Sequence, residues 1–82
     1  MQAQEIKLLI ESGLKETRAT VEGDDGVHFN AIVISPEFRD KNRVQKQQMV
    51  YATLGNAIAE GTIHAISIKT FTPEEWQQTQ ES

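Results

Sequence analysis

Apolar residues recur at helical spacing over the first stretch, AQEIKLLIESGL, where Ala3, Ile6, Leu9 and Ile10 share one face. Gly13 follows as the expected helix stop. The pattern then changes to alternation. In ETRATVE, residues Thr17, Ala19 and Val21 fall on one side, which predicts a strand. GDDG is a turn cluster, and VHFNAIVIS, rich in β-branched and aromatic residues, is the second strand of a hairpin. That strand is apolar on both parities, with Phe29, Ala31 and Val33 on one and Ile32 and Ile34 on the other. Both of its faces are therefore expected to be covered toward its C-terminal end.

Ser35-Pro36-Glu37 predicts a short helical turn, with serine as cap and proline in the first helical position. After the polar loop RDKN, a long helix is expected from about Arg43 to Glu60, ended by Gly61. Its stripe is Val44, Tyr51, Leu54 and Ile58, with Val50 and Ala57 alongside and the Tyr51 hydroxyl at the edge. IHAISIK alternates as a third strand, on which His64 shares parity with Ile66 and Ile68. TPEE is a capping box: Thr72 caps, Pro73 opens the helix and Glu75 reaches back. The last helix carries Trp76, expected in the core with Phe71. The order is helix, strand, strand, short helix, long helix, strand, helix. It predicts a single α+β domain over residues 1–82, a three-stranded sheet with helices packed on one face.

Composition narrows the chemistry. The chain has no cysteine, which excludes disulfide scaffolds, thiolate metal sites and cysteine nucleophiles. The N-terminus lacks a basic n-region and no run reaches membrane-spanning length, so a cytoplasmic protein without membrane association is expected. Net charge is −4, which disfavours binding to nucleic acid over the whole surface. Yet four of the eight basic residues, Arg39, Lys41, Arg43 and Lys46, gather in RDKNRVQK. Such a run is commonly a solvated face, but it also offers phosphate contacts at the mouth of a helix whose Gln45, Gln47 and Gln48 suit base edges. The carboxylates Glu16, Glu22, Asp24, Asp25 and Glu37 form no pair spaced for acid–base work, and no nucleophile or P-loop motif is present. Catalysis is not expected.

The runs RVQKQQMVYATLGNAI and IHAISIKTFTPEEW closely resemble the BolA family, in its bacterial IbaG-like branch. The likeness extends over nearly the whole chain. It implies a fold similar to class II KH domains, with the order α-β-β-α-α-β-α, and a non-enzymatic protein that partners a monothiol glutaredoxin. Such pairs share a 2Fe–2S cluster, the partner's cysteine and glutathione bringing the sulfur. The histidine before the alanine of the H-A-x-S-I-K run, here His64, is then the family's iron ligand. Some members of the family are DNA-binding regulators.

Taken alone, a single strand histidine such as His64 reads as a packed structural residue. The resemblance makes it a metal ligand instead, since imidazole replaces thiolate at some 2Fe–2S irons. His28, at the start of the second strand, is a second candidate ligand. It is matched poorly by the family's ligand in the loop between the first two strands, and it reads equally as an exposed strand-entry residue. With no thiolate of its own the chain is expected to hold no cluster alone, and to be a monomer or weak homodimer without its partner. The segment 39–46 remains the candidate nucleic-acid contact, through Arg39, Lys41, Arg43 and Lys46, or a surface for an acidic partner.

Overall fold

A computed structural model describes residues 2–23, 25, 28–61, 63 and 65–81, less the side chains of Asn56 and Glu81. His64 and Asp24 lie outside the described residues. The elements are α1 (Ala3–Gly13), β1 (Arg18–Glu22), β2 (His28–Ile34), a 3₁₀ turn (Pro36–Phe38), α2 (Arg43–Leu54), α3 (Asn56–Ala59), β3 (Ala65–Phe71) and α4 (Pro73–Glu81).

The three strands lie in the order β1-β2-β3. β1 and β2 form the antiparallel hairpin, with Ala19 opposite Val33 and Val21 opposite Ala31. β3 joins β2 in parallel, pairing His28 with Ala65, Ala31 with Ile68 and Ile34 with Phe71. Parallel pairing needs a crossover, and α2 with α3 supplies it. One sheet face, made of Ala19, Phe29, Ala31 and Val33, is buried with Ile6 and Ile10 of α1, Val50 and Leu54 of α2, and Phe38, Ala57 and Ile63. On the other face Thr20, Glu22, Asn30, Ser67 and Lys69 are exposed, while Ile32 and Ile34 are half-buried. The expected double covering of β2 is thus partial.

The local signals hold. Ser35 Oγ accepts the Glu37 N–H at 3.1 Å. In the box at α4, Thr72 Oγ1 accepts from Glu75 N at 3.1 Å and Glu75 Oε1 accepts from Thr72 N at 2.8 Å. Gly61 ends α3 with φ 74°, its N–H donating to Ile58 O.

Four expectations change. The long helix breaks at Gly55, whose φ of 44° and ψ of −117° lie outside helical geometry. The exposed side of α2 carries Val44 and Tyr51, 64% and 40% accessible, because the helix is rolled to press Val50 and Leu54 onto the sheet. Gly13 is the last helical residue and serves close packing: a Cβ there would stand 2.6 Å from Thr53 Cγ2. Phe71 and Trp76 are half-buried and meet edge to face at 5.2 Å, pinning α4 at the end of β3 outside the main core.

Candidate functional site

At one end of the sheet, β1 leaves at Glu22 and β2 enters at His28. Gly23 is required here, because a Cβ would come within 2.5 Å of Phe29 Cδ1 and 2.6 Å of His28 O. Asp25 then organises the entry. Its Oδ1 accepts the His28 backbone N–H at 2.8 Å and its Oδ2 lies 2.7 Å from His28 Nδ1. A carboxylate only accepts, so Nδ1 carries the proton of this contact, and in the neutral ring Nε2 is then the nitrogen with a free lone pair. The imidazole is 68% exposed and borders a groove of about 590 Å³ with Ala3, Glu22 and Asn30. Orientation of a ring by a carboxylate through its other nitrogen is the arrangement that prepares histidines for metals.

This end of the sheet is also where β3 begins. His28 pairs with Ala65, the residue that follows His64 in the chain. Among the described residues no three His, Asp or Glu side chains form a metal-binding group. The donor set visible here is one imidazole, suited to completing a site whose other ligands come from outside.

The basic segment divides. Arg39 is engaged by α4: its Nη2 and Nε lie 2.6 and 2.8 Å from Glu74 Oε1. Lys46, with a side chain only 16% exposed, places Nζ 3.7 Å from Glu75 Oε1. The Thr72 N–H above all, and Lys46 to a lesser degree, hold the Glu75 carboxyl below its ordinary range. Lys41 and Arg43 make no ion pair among the described residues. Arg43 and Lys46 instead line a second groove, about 330 Å³, whose other wall is β3 with Lys69. Gln47 fixes the helix to that wall, Nε2 donating to Ile68 O at 2.8 Å. Asp25 is hidden in a turn cluster that explains itself without a ligand role. The one G-x-x-G spacing, Gly23 to Gly26, encloses two aspartates between β1 and β2, so it is no phosphate clamp of the KH kind.

A small α+β domain with a hairpin and a parallel third strand reached through a helical crossover is the architecture of BolA-fold proteins. The chain belongs to the BolA-like protein family, whose profile matches residues 1–75. It is 42% identical over 76 residues to the acid stress protein IbaG of Escherichia coli, covering 93% of this chain and 89% of that one. A BolA homologue from Coxiella burnetii superposes with a TM-score of 0.84 at 40% identity, over 94% of this chain and 97% of the other. A Haemophilus influenzae relative called DNA-binding transcriptional regulator BolA is 34% identical over 55 residues, 67% of this chain and 52% of that one. None of the helices in the described residues is long and apolar enough to cross a membrane.

Proposed function

We propose that this chain is a non-enzymatic, cytoplasmic adaptor that joins a monothiol glutaredoxin in holding a 2Fe–2S cluster, with His64 as its ligand and His28 as the secondary candidate. The observation that carries the reading is the exposed, carboxylate-oriented ring of His28 at the end of the sheet where β3 begins. Family membership supports it, and the cysteine-free sequence assigns every thiolate to the glutaredoxin and glutathione. A cluster held this way supplies two iron sites of unlike ligation; this chain's part is to present neutral imidazole nitrogen at a rigid strand end. The test is titration of wild type, His64→Ala and His28→Ala into a glutaredoxin-bound cluster with glutathione, followed by visible circular dichroism and paired with thermal melts. His64→Ala is expected to lose the wild-type spectrum while melting as wild type does, and His28→Ala to show a smaller change. A wild-type spectrum from His64→Ala refutes the ligand role.

A DNA-binding regulator is the second reading. It is favoured by Lys41 and Arg43 at the mouth of α2, which make no ion pair among the described residues, and by the name of the Haemophilus relative. Double-stranded DNA would meet the outer side of α2, where Gln45 and Gln48 are exposed.

A further inference from the structure

We infer that Asp25 is a positioning residue for His28: it fixes the tautomer and the orientation of the ring, so that Nε2 is the nitrogen offered to iron. This role rests on the cluster reading proposed above and supplies the device that makes its secondary ligand competent. Asp25 uses both of its carboxylate oxygens. Oδ1 accepts the His28 backbone N–H at 2.8 Å, and Oδ2 meets Nδ1 at 2.7 Å. One side chain thus grips the residue at its backbone and at its ring. With both oxygens engaged, Asp25 acts through the imidazole and is not itself a ligand. No three His, Asp or Glu side chains gather into a metal-binding group among the described residues, which agrees with that division of roles.

Stability does not account for the contact. The two side chains are 68% and 48% exposed, and ion pairs this open to water contribute little to folding. Closure of the hairpin needs only the bond to the backbone N–H, and gives no reason for the second oxygen to meet Nδ1. What the second bond changes is the ring. A neutral imidazole free in water favours the proton on Nε2, which would occupy the nitrogen that a metal needs. A carboxylate at Nδ1 reverses this preference and makes the other nitrogen more basic. Packing does not orient so exposed a ring, and no other hydrogen bond reaches it among the described residues. The turn that carries Asp25 is itself anchored. A Cβ at Gly23 would lie 2.5 Å from Cδ1 of Phe29, a core residue only 3% exposed. The turn therefore starts against the core and ends on the first residue of β2.

The first measurement is long-range ¹H–¹⁵N NMR of the His28 ring in the cluster-free protein. The neutral ring of wild type is expected to carry its proton on Nδ1. Asp25→Asn is nearly isosteric. Its carbonyl can still accept the His28 N–H, while its amide nitrogen donates to Nδ1 and sends the ring proton to Nε2. The second measurement is titration of wild type, Asp25→Asn and His28→Ala into a glutaredoxin-bound cluster with glutathione, followed by visible circular dichroism. Asp25→Asn should raise the concentration needed for half of the spectral change by the factor that His28→Ala does, on the order of tenfold. Its thermal melt should match wild type. A turn that is only structural would leave this variant like wild type in both measurements. The role is overturned if wild-type His28 carries its proton on Nε2, if Asp25→Asn does not invert the tautomer, or if that variant titrates as wild type does. A wild-type titration from His28→Ala overturns it too, since the ring then has nothing to be positioned for. Failure of the cluster reading shows elsewhere, as a wild-type spectrum from His64→Ala with the His28 ring nitrogens unmoved, so the two failures are told apart.

Discussion

Replacing Gly13 by alanine sets two effects of known sign against each other. Alanine is the better helix former by about 1 kcal/mol in a helix interior, and less than that in the last residue of α1. Against this, the new methyl would lie 2.6 Å from Thr53 Cγ2, 2.9 Å from Thr53 Cβ and 3.5 Å from Thr53 Cα. The first two distances fall inside ordinary carbon contact, and Thr53 Cβ moves only with its own backbone, so α1 and α2 would have to separate. Rotating Thr53 away is also resisted, because its Oγ1 donates to Val50 O at 2.6 Å. Overpacking of this kind costs about 1–3 kcal/mol. The steric effect wins, and Gly13→Ala should lose about 1–2 kcal/mol, lowering the melting temperature by about 5–10 °C for a domain of this size. Thr53→Ser removes Cγ2 and keeps the hydroxyl, so in that background the alanine should cost about 1 kcal/mol less. Urea and thermal denaturation of the two single variants and the double variant complete the cycle. An unchanged or raised melting temperature for Gly13→Ala, or the same cost in both backgrounds, would refute the close-approach role.

Glu11 Oε2 accepts the N–H of Ala19 on the edge strand β1 at 3.1 Å and pairs with Lys7 at 3.2 Å. The Ala19 N–H first, and Lys7 with it, hold its carboxyl below the ordinary value of 4.5. A lowered folded-state value means that this stabilisation is complete above the ordinary carboxyl range and disappears as pH falls through the folded-state value. Glu11→Gln should therefore melt below wild type at neutral pH, with the gap closing in acid; a gap that widens on acidification contradicts the assignment. Thr72→Ala should remove the cap of α4 at a cost of about 1 kcal/mol. It should shift Trp76 fluorescence to the red as the helix frays, and an unshifted spectrum would mean that the contact with Phe71 holds α4 without the cap.

What is legible in the sequence follows the range of the forces involved. The cap at Ser35 and the capping box at Thr72 are legible because donor and acceptor lie within three residues of each other. Strand parity in β1 and β2 is legible because alternation is a property of the backbone. The roll of α2 is not. Val44, Tyr51 and Leu54 make an apolar stripe that looks sufficient, while the buried side includes Lys46 and Gln47, residues that read as solvent-facing. Those two are tolerated there because each finds a distant partner: Lys46 reaches Glu75 with its stem buried, and Gln47 gives its amide to the Ile68 carbonyl. The break at Gly55 is hidden for a similar reason, since a lone glycine within a helical pattern is compatible with an unbroken helix until the surrounding packing is known.

The same distinction explains the candidate sites. His64 and His28 draw notice as the chain's two histidines, but nothing near His28 in sequence announces that β3 will pair beside it in parallel. The run 39–46 looks like one basic surface, yet the fold sends its cations in different directions. Glu74 and Glu75 take up Arg39 and Lys46 from a helix some 30 residues later, while Lys41 and Arg43 make no ion pair among the described residues. β3 is what joins these distant pieces. Gln47 from α2 meets it at the Ile68 carbonyl, and Trp76 from α4 meets it at the Phe71 ring.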